Sequence, residues 1–174
     1  VVMVGMMGAG KTAVGRALAG HLHVPFLDSD HEIESAANMT IAEIFARDGE
    51  PFFRVKEAQV IARLLAGPPM VLSTGGGAFM QEDNRALVAR LGVSVWLKAD
   101  LDTLWDRVKQ RSTRPLLKTA DPYGTLAGLV EARDPTYALA DVTVRSETGC
   151  SIDQTARRVI DALRPRPDVL EAPE

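Results

Sequence analysis

The stretch GMMGAGKT, Gly5 to Thr12, constrains this chain more than any other. It matches G-x-x-x-x-G-K-[ST] at every fixed position. The apolar run VVMVG leads into it and a helical pattern over Lys11–Leu22 leads out. That strand–loop–helix context separates a phosphate loop from a chance glycine-rich turn. Its glycines let backbone N–H groups curl around phosphate oxygens, and the helix adds its positive N-terminal end. Gly8, Ala9, Gly10, Lys11, Thr12 and Ala13 are therefore the candidate nucleotide-binding residues. Lys11 is placed to reach the β- and γ-phosphates and Thr12 to hold Mg²⁺. Ala13 fits a helix but offers a phosphate no hydroxyl. Such a loop predicts a nucleotide, not an activity, because ATPases, GTPases, small-molecule kinases and motors share it. A chain of 174 residues leaves no room for large regulatory insertions, which favours small kinases.

Short apolar runs alternate with amphipathic segments along the rest of the chain. The runs at 1–5, 24–28, 69–73, 93–97 and 141–145 predict strands. Helical patterns fill Lys11–Leu22, Pro51–Leu65, Asn84–Leu91, Leu101–Gln110 and Ile152–Leu163. This alternation predicts an α/β fold, a parallel sheet with helices on both faces, in one domain over 1–163. The Pro- and acid-rich end, 164–174, reads as a mobile tail. Net charge is −3, so no general nucleic-acid or membrane-binding surface is expected, and a few placed cations must receive any anionic ligand. No apolar run reaches the roughly 18 residues of a membrane helix. The opening VVMVG has no basic segment before it and reads as a strand, not a signal peptide. Cys150 is the only cysteine, so no intrachain disulfide can form, and a reducing cytoplasm fits.

Several features point to the acceptor of the phosphate. FLDSDHEIE puts Asp28 and Asp30 at the end of the second strand, two apart and so on one side. There they can serve Mg²⁺ and an acceptor hydroxyl, or one can simply cap the next helix. Arg54 and Glu57 stand at i, i+3 on one helix. Spacing alone leaves open a surface ion pair or an Arg54 held still to grip a carboxylate or phosphate. RSTRPLL, with Arg111 and Arg114, follows a helix containing Arg107, and KTADPYG adds turn signals. Residues 111–124 read as a basic lid, although a solvated loop has the same composition. Arg133 lies near the end of a helical stretch before Pro135, where a cation also suits the helix dipole. VLSTGGGAF carries Gly75, Gly76 and Gly77 directly after a buried strand. A flexible joint is unexpected between strand and helix. A second phosphate loop would need a following Lys-Thr or Lys-Ser.

Taken in order, GMMGAGKTAVGR, FLDSDHEIE, TIAEIFARDGEPFFRVKE, STGGGA, RPLL and RDPTY make the chain resemble the shikimate kinase family over Val1–Leu163. The phosphate loop alone is unspecific; the ordered set is specific. The resemblance implies the nucleoside-monophosphate-kinase-like P-loop fold, a three-layer sandwich with a five-stranded parallel sheet, flanking helices and a lid. It implies transfer of the γ-phosphoryl of ATP to the 3-hydroxyl of shikimate, on the route to chorismate and aromatic amino acids, by a cytoplasmic monomer using one Mg²⁺ per subunit. By position, Lys11 and Thr12 match the ATP- and Mg²⁺-binding residues, and Asp28 the carboxylate that reaches the metal through water. Asp30 matches the residue that binds the acceptor hydroxyls and activates or orients the attacking one. Arg54 and Arg133 match the pair on the substrate carboxylate. Gly76 and Gly77, with Gly75 beside them, match the backbone against the substrate ring. Arg114 matches the lid arginine on the transferring phosphate, and Arg107 a position that packs on adenine.

The chain departs from the family pattern in two places. Ala13 replaces a Ser or Thr, and SETGCS (146–151) lacks the Arg and Pro that lie near adenine in some relatives. The alternatives are another small-molecule kinase, such as a gluconate kinase, and a non-catalytic nucleotide-binding module. The first gives no reason for three glycines with paired arginines. The second would be expected to have lost some of Lys11, Asp30, Arg54 and Arg133.

Overall fold

The computed structural model describes residues 1–111 and 118–170. Five short strands form one sheet: β1 (Val2–Val4), β2 (Phe26–Asp28), β3 (Val71–Ser73), β4 (Ser94–Lys98) and β5 (Val142–Arg145). Their order is β2-β3-β1-β4-β5, with every pairing parallel. β1 and β3 are buried along their whole length, which is why their sequences run apolar without alternation. β2 and β5 lie at the edges and are less buried.

Among the described residues, seven α-helices connect and cover the strands: α1 (Lys11–Leu22), α2 (Ser29–Ala37), α3 (Ile41–Leu65), α4 (Glu82–Leu91), α5 (Leu101–Val108), α6 (Pro122–Tyr137) and α7 (Ile152–Leu163). The main core joins β1, β3 and β4 to α1, α5, α6 and α7 through residues such as Met3, Leu18, Leu72, Leu97, Leu104 and Leu126. A separate small cluster of Ile33, Ile44 and Phe53 ties α2 to α3. This gives the α2–α3 pair its own packing beside the sheet edge. No helix among the described residues is long and apolar enough to cross a membrane.

Three departures from the sequence expectation exceed a residue or two at an element's end. The helix expected from Pro51 starts at Ile41, because Thr40 and Glu43 form a capping box. It breaks at Gly49 (φ 82°) and resumes at Pro51, so only its second half carried a clear helical pattern. Of the lid expected over 111–124, residues 112–117 lie outside the described residues, and 122–124 belong to a helix. The DPYG turn signals are a helix start, with Asp121 accepting from the Gly124 N–H at 3.0 Å and Pro122 at a position that needs no N–H. The same helix runs through Pro135 to Tyr137. The tail expected to be mobile from 164 is anchored as far as Leu170: Val169 and Leu170 pack on the core, and Arg166 pairs with Asp168 (2.8 Å) and Asp141 (3.8 Å). Residues 171–174 lie outside the described residues.

Candidate active site

The phosphate loop, the Asp28–Asp30 segment and the three glycines all leave the carboxyl ends of adjacent parallel strands, where such sheets collect ligands. In the loop, Gly8 (φ 82°) and Gly10 (φ 95°) are left-handed. A Cβ on Gly8 would stand 2.7 Å from a methyl of Val108 and 3.2 Å from the Leu104 carbonyl oxygen, so space also demands glycine there. Lys11, only 9% exposed, donates from Nζ to the carbonyls of Gly5 (2.7 Å) and Met6 (2.9 Å). Its ammonium is thus held across the loop.

Arg107 reaches the same loop from α5. Its Nη1 donates to the carbonyls of Gly8 (3.0 Å) and Ala9 (3.1 Å) and to Oγ of Ser146 (3.0 Å). These bonds satisfy two loop carbonyls from outside; the Ala9 N–H donates to the Met6 carbonyl (3.1 Å), and the other N–H groups of the loop can face an anion. Loss of charged hydrogen bonds of this kind costs about 1.5–3 kcal/mol. Arg107→Ala is therefore expected to raise the KM for ATP about tenfold or more, with little change for the acceptor, in steady-state assays varying each substrate.

Asp28 does two things at once. One carboxylate oxygen caps α2, accepting from the N–H of Asp30 (2.9 Å) and His31 (3.3 Å). The other accepts from Oγ1 of Thr12 at 3.4 Å. The capping and metal-site readings are compatible. Asp30 sits in the first turn of α2, where burial and then the charge of Asp28 push its pKa up to about 6, against the pull of Lys11 and Arg54.

Each of the three glycines faces a different side chain. A Cβ on Gly75 would lie 2.9 Å from Oδ1 of Asp30, on Gly76 3.1 Å from Nη1 of Arg133, and on Gly77 2.8 Å from Cζ of Arg54. None of the three is left-handed, so a methyl there would displace these side-chain ends rather than strain the backbone. The motif thereby gathers residues of α2, α3 and α6 onto one backbone wall. Arg54 is fixed by Glu57, 1% exposed, at 2.8 Å and by Glu50 at 3.3 Å, with Phe53 beneath it. Burial raises the Glu57 pKa, and the Arg54 hydrogen bond opposes that rise. The spacing that left two readings open resolves into a half-buried clamp.

The sequence reading missed the supports behind this wall. Tyr137 donates its hydroxyl to the Gly76 carbonyl. Asn84 Nδ2 donates to Ala78 O (3.0 Å), and Arg85 to Phe79 O (2.7 Å) and Met80 O (2.9 Å). Polar residues in the first turn of α4, just after the glycines, were the available signal. Arg114 lies outside the described residues.

A phosphate loop thus neighbours a cluster of one carboxylate, two guanidiniums and bare backbone at the carboxyl end of the sheet. That arrangement defines a P-loop kinase acting on a small anionic molecule with hydroxyl groups. The shikimate kinase family model matches residues 7–164, and the chain belongs to that family. The shikimate kinase of Cereibacter sphaeroides is 69% identical over 100% of this chain and 87% of that protein. The structure of the Acinetobacter baumannii shikimate kinase in complex with shikimate superposes with a TM-score of 0.85 at 40% identity, covering 92% of this chain and 89% of that one. A gluconokinase from Sinorhizobium meliloti shares only the fold, with a TM-score of 0.62 at 19% identity. This chain is a phosphotransferase of the shikimate pathway that uses ATP.

Proposed function

We propose that the loop Gly8–Thr12 holds ATP while Asp30, Arg54, Arg133 and the Gly75–Gly77 backbone hold shikimate for phosphorylation of its 3-hydroxyl. The observation that carries this assignment is the glycine wall, whose three members abut Asp30, Arg133 and Arg54 in turn. Two guanidiniums suit one carboxylate, and a carboxylate beside open backbone suits ring hydroxyls. The 3-hydroxyl oxygen bonds to the γ-phosphorus as the bond to the bridging oxygen of ADP breaks. The hydroxyl proton passes to Asp30, early or late along a loose transition state. Lys11 balances charge on the phosphoryl group, the role that the family resemblance also implies for Arg114.

Thr12 Oγ1 and the Asp28 carboxylate, 3.4 Å apart, form an all-oxygen pair that suits Mg²⁺. Among the described residues no three His, Cys, Asp or Glu side chains converge into a cage. Thr12 would hold the metal directly and Asp28 would do so through water. When bound, Mg²⁺ neutralises charge on the β- and γ-phosphates. We assign the enzyme to the cytoplasm as a monomer, with Arg107 and the 146–151 loop nearest the base.

The ionised form of Asp30 is the one that accepts a proton. With its carboxyl raised to about 6, kcat/KM for shikimate is expected to fall about tenfold per pH unit below that value. A profile flat down to pH 5 would remove Asp30 from proton transfer. Phosphorus NMR of the product tests the regiochemistry: phosphate on O3 supports the assignment, and phosphate on another hydroxyl rejects it.

A further inference from the structure

We propose that the Tyr137 hydroxyl is a positioning group for shikimate, tying Arg133 to the Gly76–Gly77 peptide so that the carboxylate anchor and the backbone wall keep one geometry. The inference rests on the shikimate site proposed above. Tyr137 ends α6 and is fully buried, with its ring stacked on Trp96 at 5.9 Å between centroids. A phenylalanine ring would fill the same space. The hydroxyl must therefore be explained separately, since burying one without a partner is costly.

That hydroxyl donates to the carbonyl of Gly76. A trans peptide sets its N–H opposite its C=O. Holding the Gly76 carbonyl on the Tyr137 side therefore turns the Gly77 N–H to the other side. No acceptor among the described residues takes that N–H. A ring hydroxyl of the acceptor is suited to it. Arg133 lies one helical turn before Tyr137, on the same face of α6. From the position of a Cβ on Gly76, Arg133 Nη1 is 3.1 Å away and the Tyr137 oxygen 3.6 Å. With its proton given to Gly76, the phenol oxygen has lone pairs to offer the neighbouring guanidinium. Burial pushes the phenol up to about 12, with Arg133 pulling the other way, so it stays a donor at every working pH. The hydroxyl also lies 3.9 Å from Sδ of Met6, in the phosphate loop.

Tyr137→Phe keeps the ring and removes only the tie. The expected result is a KM for shikimate raised about tenfold, a KM for ATP within about twofold of wild type, and a folded protein by circular dichroism. Wild-type turnover with shikimate is measured first; its absence would overturn the site assignment itself, and the proposal with it. In an Arg133→Lys background, the same change is expected to raise KM by much less than tenfold, because the partner is already displaced. An unchanged KM for shikimate, an equal rise for both substrates, or full additivity with Arg133→Lys would each overturn the role.

Discussion

Asp30→Asn is expected to lower kcat by about 10²–10⁴-fold while ATP affinity stays within about twofold. Asparagine preserves size and can still hydrogen-bond, but it cannot accept the hydroxyl proton. The proposed nucleotide contacts come from the loop and from Lys11, which follow a different strand end. The same substitution carries a stability signature. Burial raises the Asp30 carboxyl to about 6, so between its unfolded value near 4 and 6 the native state holds more protons than the unfolded one. Wild-type stability therefore falls as pH rises through that window, by up to about 3 kcal/mol, and Asn removes the fall. Asp30→Asn is expected to melt above wild type at pH 8 and much closer to it at pH 4. Turnover near that of wild type would reject Asp30 as proton acceptor, whatever the melting curves show.

Arg54→Ala is expected to raise the KM for shikimate by about 30-fold or more, since truncating one partner of a buried charged pair costs about 2–5 kcal/mol. ATP should be little affected. The variant also strands Glu57, which is 1% exposed and has Arg54 at 2.8 Å as its ion-pair partner. An uncompensated buried carboxylate costs about 3–5 kcal/mol, so the single variant is expected to be less stable as well. Arg54→Ala combined with Glu57→Gln separates the effects: stability should recover in part while shikimate binding stays weak. Recovery of binding together with stability would show that Arg54 is a structural ion pair and not a substrate ligand.

Much of this site was legible because it lies in short ordered motifs at strand ends. The phosphate loop, Asp28, Asp30 and the glycines each follow an apolar run, and parallel strands bring such ends together. What linear spacing could not supply was convergence. Gly75, Gly76 and Gly77 meet Asp30, Arg133 and Arg54 from three different helices, a relation set by tertiary packing. Arg107 was read through the family as a position that packs on adenine; the bonds of its guanidinium to the loop carbonyls and Ser146 could not be read from the sequence. No periodicity announces a bond across so much chain. Tyr137 was invisible for a related reason: a buried aromatic at a helix end reads as core, and only the Gly76 carbonyl makes its hydroxyl matter. Helix boundaries slipped where one signal had two meanings. Pro122 and Gly124 read as a turn but serve a helix start.

The most direct test couples ADP release to an optical signal, using purified protein with Mg-ATP and either shikimate or gluconate. Rapid ADP release that depends on shikimate, is absent with gluconate and stops when EDTA removes Mg²⁺ is the predicted result. Release that ignores shikimate, or that requires gluconate instead, would contradict it.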